Sequence, residues 1–200
     1  MLETIFILII LLFSIILHEI AHGSVAFYLG DPTAQESDRL TLNPLNHLDP
    51  FGSFILPAIL LLITQGRGPI VGWAKPVPIN PYNFRDQKWG QLKVAIAGPG
   101  ANFLVAIFFG LLIRFLPLSF SLLRLFSIIV FYNFFWGLFN LVPIPPLDGS
   151  HILFSLLPER FFQFKIFLQQ HAFWILIFFI FFGLNLLAFL ANLLYSLVVG

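Results

Sequence analysis

Long apolar runs separated by shorter polar stretches dominate this chain of 200 residues. The runs fall at about 4–29, 51–65, 91–116, 125–142 and 172–199. Most of them approach or exceed the roughly 20 apolar residues that a helix needs to cross a bilayer. Composition supports this pattern, because 59% of the residues are hydrophobic and 10% are charged, whereas soluble domains carry about 25% charged residues. The sequence therefore predicts an all-α polytopic membrane protein in a lipid bilayer.

The run at 51–65 differs from the others because it has only 15 residues and carries Pro57 near its middle. Proline, glycine and asparagine punctuate the polar stretches on either side of it, at 30–50 and 66–90, so we predict turns and short extended segments there. Both stretches are predicted on the same side of the membrane. We therefore expect 51–65 to form a re-entrant or interfacial hairpin, with a short tilted crossing as the alternative.

Positive charge is distributed unevenly between the two sides. Eight of the ten cations lie in loops or at segment ends that we place on one side, namely Arg39, Arg67, Lys75, Arg85, Lys88, Lys93, Arg160 and Lys165. Only Arg114 and Arg124 fall on the other side, so the positive-inside rule makes the eight-cation side cytoplasmic and puts the N-terminus outside. The formal net charge of +1 and the lack of a basic cluster argue against a nucleic-acid partner.

The first apolar run contains a histidine–glutamate–x–x–histidine motif formed by His18, Glu19 and His22. Ionisable side chains at membrane depth cost roughly 2.5–3.5 kcal/mol each, so they usually mark a functional site. His18 and His22 are four residues apart and share one face of a helix, where two imidazoles can hold one zinc ion. Glu19 follows His18 directly and is placed to act as the general base of a hydrolase.

A catalytic zinc site takes three protein ligands, and the chain has no cysteine to supply the third. Among the nine acidic residues, Glu19 and Asp148 alone adjoin long apolar segments in a setting that suits a buried site. A proline cluster that begins at Pro143 stops the preceding helix after about residue 141, and Gly149 permits a sharp turn. Because a carboxylate presented there needs a cation, we predict Asp148 as the third ligand, with a helix-capping role as the alternative.

Three motifs follow one another along the chain: His18-Glu19-Ile20-Ala21-His22, Gly98-Pro99-Gly100-Ala101-Asn102 and Asn140-Leu141-Val142-Pro143-Ile144-Pro145-Pro146-Leu147-Asp148-Gly149. In this order they resemble the site-2 protease family of intramembrane zinc metalloproteases, from about residue 4 to at least 157. Two further segments resemble its compact bacterial branch, which lacks PDZ and CBS domains: Thr41-Leu42-Asn43-Pro44 and Gly72-Trp73-Ala74-Lys75-Pro76-Val77-Pro78. Ser150 departs from the family, because many members have a second glycine there.

The resemblance implies one zinc ion per chain, held by His18, His22 and Asp148, with Glu19 as the catalytic acid and base. It also implies that Asn140 hydrogen-bonds the substrate backbone or the developing oxyanion. The expected architecture is a single integral-membrane peptidase domain over 1–200. Its parts would be core helices at 4–29, 91–116 and 125–142, one C-terminal helix or two divided at Gly183 within 172–199, and a small membrane-associated β element within 30–85.

The function implied by the resemblance is hydrolysis of a peptide bond within or near a transmembrane helix of another membrane protein. The cut would lie toward the cytoplasmic face of the cell membrane. In regulated intramembrane proteolysis an upstream site-1-type protease acts first, while other family members clear signal-peptide remnants. Extended segments near 70–80 would hold the locally unwound substrate by pairing along a strand edge.

Other functions remain to be weighed against this one. A zinc transporter would use intramembrane histidine and aspartate but would not need Glu19, and a non-catalytic chaperone would not need the complete set of four residues. An integral metalloprotease that cuts soluble or prenylated substrates usually takes a distal glutamate as its third ligand, whereas here the candidate is Asp148.

Two further polar residues lie near the motifs. We expect Asn102 to pack between helices in preference to touching substrate. His151 is a candidate partner of Asp148.

Overall fold

The computed structural model describes residues 2–55, 58–59, 62–63 and 75–200. Five longer helices carry the architecture of the described part: α1 (Leu2–Tyr28), α2 (Gly90–Phe115), α3 (Phe120–Asn140), α4 (Asp148–Leu156) and α5 (Phe162–Val199). Shorter helical turns lie at Thr33–Glu36, Pro44–His47, Pro50–Ile55, Pro81–Asn83 and Glu159–Phe161. Within the described residues, four segments are long and apolar enough to cross a membrane, and they coincide with α1, α2, α3 and α5. The prediction of an all-α polytopic membrane protein is confirmed.

The boundaries of α1 and α2 lie close to the predicted ones, whereas α3 begins at Phe120 instead of 125 and α5 begins at Phe162 instead of 172. The C-terminal run forms one continuous helix of 38 residues, so the division at Gly183 does not occur. This helix contains no proline, and a single interior glycine costs only about 1 kcal/mol relative to alanine, which is too little to break it. Helix α5 therefore spans the bundle as a single element.

Helix α2 is central to the bundle, because it packs against α1, α3, α4 and α5. The core between α2, α3 and α5 is built from Ala106, Val130, Phe134 and Ala191, all of them buried. Small residues let the backbones come close, as is usual where lipid supplies no hydrophobic driving force between helices. The central position of α2 brings its first half against α1 and α4, where the predicted site residues lie.

The polar segment between α1 and α2 leaves and re-enters the bundle at the same end. The backbone N–H of Arg85 donates to the carbonyl of Leu29 at 2.8 Å, which joins the two ends of this connecting segment. Buried Ala26, Leu29 and Phe84 continue the packing beneath it. How the whole of 51–65 lies relative to the membrane falls outside the described residues.

The expected β element is not found, because the described residues contain no strand. Residues 75–80 form neither helix nor strand, Asn80 has extended backbone angles, and Lys75 N–H donates to the carbonyl of His47 at 2.9 Å. Pro76 and Pro78 have no N–H to donate, so one edge of this segment cannot pair in a regular strand ladder. The part of the expected element at 64–74 lies outside the described residues. We refer to 75–80 below as the extended segment.

Candidate metal centre

Helix α1 presents both histidines of the motif to the interior of the bundle. His18 is 4% exposed and His22 is 6% exposed. Because they are four residues apart on a regular helix, their side chains lie one turn apart on the same face. Their Nε2 atoms approach to 3.0 Å, with the two rings almost perpendicular at 85°. Two potential metal ligands therefore meet at one point, as the sequence predicts.

Asp148 joins this pair from the first residue of α4. Its Oδ2 lies 2.9 Å from the Nε2 of His18 and 3.2 Å from the Nε2 of His22. Leu147, not Asp148, is the N-cap residue of α4, and the Asp148 carboxylate contacts the two imidazoles, so the alternative of a helix-capping aspartate is not realised. The carboxylate oxygen thus faces both ring nitrogens, where a cation bound between them would offset its negative charge.

Gly149 serves the site by having no side chain. It lies within the first turn of α4, and a Cβ atom there would come within 2.2 Å of the carbonyl oxygen of Leu141 and 2.5 Å of that of Val142. The sequence predicted that Gly149 permits a sharp turn, but the residue is helical in the structure. The glycine is needed for a close approach, which lets the start of α4 pack on the end of α3 and carry Asp148 to the histidines.

The three donor atoms fit a tetrahedral zinc ion. With metal–ligand distances of about 2.0–2.2 Å, neighbouring ligand atoms of such a site lie roughly 3.3–3.5 Å apart. The observed separations of 2.9, 3.0 and 3.2 Å are within a few tenths of that, and two imidazole nitrogens with one carboxylate oxygen form a borderline donor set that suits zinc. His18, His22 and Asp148 could thus hold one ion.

The outer nitrogens of both imidazoles are held by acceptors. Nδ1 of His18 lies 2.7 Å from Oδ1 of Asn102, and Nδ1 of His22 lies 2.7 Å from the carbonyl of Val94. Because these acceptors require an N–H, the proton is assigned to Nδ1 in each ring, and the Nε2 lone pairs are left facing Asp148. The amide of Asn102 is held in turn by Asn133 at 3.1 Å.

Asn102 thus has a more specific role than the interhelical packing expected from the sequence. It is fully buried and touches a predicted metal ligand directly. Sequence reasoning missed Val94 and Asn133 altogether. Asn133 carried one usable signal, since it is a polar residue in the middle of an apolar helix, but a backbone carbonyl such as that of Val94 carries none.

Gly98 gives the imidazoles the space they occupy. A Cβ atom on this residue of α2 would come within 2.3 Å of Nε2 of His22 and 2.6 Å of Nε2 of His18. The glycine therefore allows the two candidate ligand rings to approach α2 closely.

Glu19 points into the same site and is held by the extended segment. Its Oε2 accepts a hydrogen bond of 2.8 Å from the backbone N–H of Val77. Val77 is buried at 6% exposure, and its neighbours Pro76 and Pro78 cannot donate. This contact was not predicted, because nothing in the sequence relates residues so far apart.

All five predicted site residues line one cavity of about 360 Å³ between α1, α2, α4 and the extended segment. Asn140, at the end of α3, is 9% exposed and donates from its amide to the carbonyl of Trp136 at 3.0 Å. His151 also lines the cavity, but its Nδ1 lies 3.1 Å from the side-chain amide of Gln91, so it pairs with that residue and not with Asp148 as suggested.

Comparisons with known proteins agree with this geometry. Residues 117–184, which include Asn140 and Asp148, match the model of peptidase family M50. YwhC of Bacillus subtilis, whose name describes it as a candidate zinc metalloprotease, is 39% identical over 162 residues, which cover 76% of this chain and 69% of that protein. No solved structure matches.

Two further relatives match over shorter parts of their own length. Rip2 of Mycolicibacterium smegmatis, also named as a candidate zinc metalloprotease, is 34% identical over 69% of this chain and 52% of that protein. The zinc metalloprotease MJ0392 of Methanocaldococcus jannaschii is 30% identical over 42% of this chain and 26% of that protein. The resemblance inferred from the three motifs is confirmed, and the chain belongs to peptidase family M50, the family of the site-2 proteases.

Proposed function

We propose that this chain hydrolyses a peptide bond within or near a transmembrane helix of another membrane protein. As a member of peptidase family M50 it is a zinc metalloprotease. The observation that carries the finer proposal is the position of the cavity: a histidine pair, a carboxylate ligand and a free glutamate oxygen converge at one end of a bundle of apolar, membrane-length helices. A substrate for a site in that position is itself a segment of membrane protein.

We assign zinc binding to His18, His22 and Asp148. Zinc supplies a Lewis acid that polarises a carbonyl and makes water a nucleophile near neutral pH. Asn102 and the Val94 carbonyl keep the Nε2 lone pairs directed inward, and Gly98 keeps the space clear. The rest of the chemistry falls to groups that line the cavity.

Glu19 is the proposed general base and acid. One of its oxygens, Oε2, is held by Val77 N–H, which fixes the carboxylate while leaving Oε1 to take a proton from the attacking water. The same group then returns the proton to the leaving amine. Asn140 is the proposed donor to the substrate backbone or the developing oxyanion, since it lines the cavity at the end of α3.

The substrate must present an extended backbone, because a helix hides its carbonyls in internal hydrogen bonds. We propose that the cut lies toward the cytoplasmic face of the cell membrane. The pathway is either regulated intramembrane proteolysis after an upstream site-1-type protease or clearance of signal-peptide remnants. Edge pairing of the substrate with residues near 70–80 remains a prediction; within 75–80 it would use backbone groups other than the Val77 N–H, which already donates to Glu19.

The decisive experiment measures zinc content in detergent together with cleavage of a panel of single-pass substrates. Wild type and Glu19→Gln should each bind one zinc, and only wild type should cleave, since loss of a general base costs about 10²–10⁴-fold in rate. Glu36→Gln, a change at an exposed glutamate, is the matched control. Zinc transport retained by Glu19→Gln, without cleavage by either protein, would indicate a transporter instead. Absence of zinc from both would contradict the site.

A further inference from the structure

One peptide group of the extended segment touches Glu19 on one side and a buried cation on the other. The N–H of Val77 donates to Glu19, and the carbonyl of the same peptide group, that of Pro76, accepts from Nη2 of Arg39 at 3.0 Å. Because a peptide group is planar and its carbonyl and N–H point in opposite directions, fixing the carbonyl fixes the direction of the N–H. Arg39 and Glu19 are therefore linked through a single rigid unit.

Arg39 makes several contacts of this kind. It is only 5% exposed, and its Nη2 also donates to the carbonyl of Lys75 at 2.6 Å, while its Nη1 donates to the carbonyl of Asn46. A guanidinium can hold several acceptors at once because its donors lie in one plane. The cation thus fastens the start of the extended segment to the loop at Pro44–His47.

Helix α1 is shaped to receive this segment next to Glu19. One turn after the glutamate lies Gly23, and a Cβ atom there would come within 2.6 Å of the Leu40 side chain and 3.0 Å of the Val77 side chain. The Val77 and Leu40 side chains therefore pack directly on α1, and Arg39 is the residue before Leu40 in the chain. The positively charged guanidinium of Arg39, which donates to the Pro76 carbonyl, also polarises this peptide group. This polarisation strengthens the hydrogen bond from Val77 N–H to the Glu19 carboxylate.

We propose that Arg39 is a positioning residue for the proposed general base, acting on Glu19 through the Pro76–Val77 peptide group. This inference rests on the proposed function of Glu19. Arg39 touches neither the cavity nor the candidate ligands, so its loss should leave zinc binding intact. It should instead free the Val77 N–H and let the Glu19 carboxylate leave its place, which lowers kcat and leaves KM nearly unchanged.

The test compares Arg39→Gln and Arg39→Lys with the matched control Arg160→Gln, which changes an exposed arginine in the short turn just before α5. Amide exchange of Val77 in 15N-valine-labelled protein reports the linkage without any substrate. Arg39→Gln should speed this exchange roughly tenfold and lower kcat on a single-pass substrate by a similar factor, with one zinc retained. Arg39→Lys keeps the charge but lacks the planar fork, so it should fall between Arg39→Gln and wild type in both measurements.

Each outcome decides the matter. Unchanged Val77 exchange in Arg39→Gln, or a raised KM with unchanged kcat, would overturn the inference. If Arg39→Gln does not fold, the intermediate exchange and kcat of Arg39→Lys support the proposal, and wild-type values of both contradict it. If wild type cleaves no substrate, the proposed function is contradicted independently of Arg39. The exchange measurement still decides whether Arg39 holds the Val77 N–H in its hydrogen bond to Glu19.

Discussion

The two candidate histidine ligands are oriented by different kinds of acceptor. A side-chain amide, that of Asn102, fixes His18, whereas a backbone carbonyl, that of Val94, fixes His22. Both acceptors lie on α2, so one helix accepts from Nδ1 of both rings and leaves the Nε2 atoms free for a metal ion. The difference matters for mutagenesis, because the amide can be removed by substitution and the carbonyl cannot.

Removal of that amide should weaken zinc binding without abolishing it. Asn102→Leu leaves the outer nitrogen of His18 without its acceptor, and loss of such a partner typically costs 10–100-fold in metal affinity, so we expect a decrease of about that size. Competition with a calibrated zinc chelator measures it. The matched control is Asn192→Leu on α5, where the exposed amide bonds only to its own helix, at Ala188. Equal affinities for the two variants would exclude a role for Asn102 at the site.

Two glycines on α2 test whether the imidazole rings of His18 and His22 need the space beside this helix. In Gly98→Ala the new methyl group would lie 2.3–2.6 Å from the two imidazoles, so the rings must move and zinc stoichiometry should fall well below one. Gly100→Ala is the control, since no atom outside its own helix lies within 4 Å of a Cβ there. Metal analysis of both purified variants checks this. A Gly98→Ala protein with a full zinc content would show that the rings do not sit where the structure has them.

Residue spacing within one helix was readable from the sequence, and contacts between helices were not. His18 and His22 were predicted as a pair because helix geometry alone sets their relation. Asp148 was found from its place after an apolar run, since a carboxylate there needs a partner. Asn133 and Arg39 act through neighbours distant along the chain, so only the folded arrangement shows what they touch.

At the scale of elements, the extended segment is held at both ends by charged residues. Arg39 fixes the carbonyls at its start, and Asp31 accepts from the N–H of Asn80 at 2.7 Å and from the side chain of Asn83 at 2.8 Å. The sequence predicted extended structure here correctly from its prolines but assigned it to a sheet. It forms no strand in the described residues: Lys75 N–H pairs with one backbone carbonyl, that of His47, whereas the N–H groups of Val77 and Asn80 go to the side chains of Glu19 and Asp31.

The Asp31 anchor should make stability depend on pH. Burial alone would raise the pKa of Asp31, but hydrogen bonds from Thr33, Asn80 and Asn83 outweigh it and hold the pKa below the usual 3.8. A lowered folded-state pKa means stabilisation that is present above about pH 4 and is lost as the pH falls through the folded-state value. Asp31→Asn should cost about 1–3 kcal/mol at neutral pH, since several donors around the buried Asp31 side chain lose a charged acceptor, and this difference from wild type should shrink in acid.

Thermal unfolding in detergent between neutral pH and about pH 3 measures the effect of Asp31 over the range in which a carboxylate titrates. Asp86→Asn is the control, because this carboxylate accepts from exposed Lys93 at 2.6 Å and surface pairs contribute little. A constant difference between wild type and Asp31→Asn across the whole range would mean that folding does not lower the pKa of the Asp31 carboxyl.

At the scale of the whole molecule, the bundle has two unlike ends. The candidate metal centre, the extended segment and most described cations lie at one end, where α1 and α3 finish and α2 and α5 begin. At the other end Arg114 donates to the last carbonyls of α5, at Leu197 and Val198. This separation of charge is what the positive-inside rule uses to assign sides, so it predicts a cytoplasmic metal centre and an external N-terminus.

The absence of cysteine from the sequence makes this orientation directly testable. Ser37, after α1, and Pro117, between α2 and α3, are both exposed and lie at opposite ends of the bundle. In intact cells a membrane-impermeant maleimide should label Pro117→Cys and spare Ser37→Cys, and it should label both after the membrane is permeabilised. The reverse pattern would place the candidate site outside the cell. Each variant is the other's control, because both positions are exposed loop residues that are predicted on opposite sides of the membrane. If the site is cytoplasmic, the substrate must be cut near the inner face of the membrane.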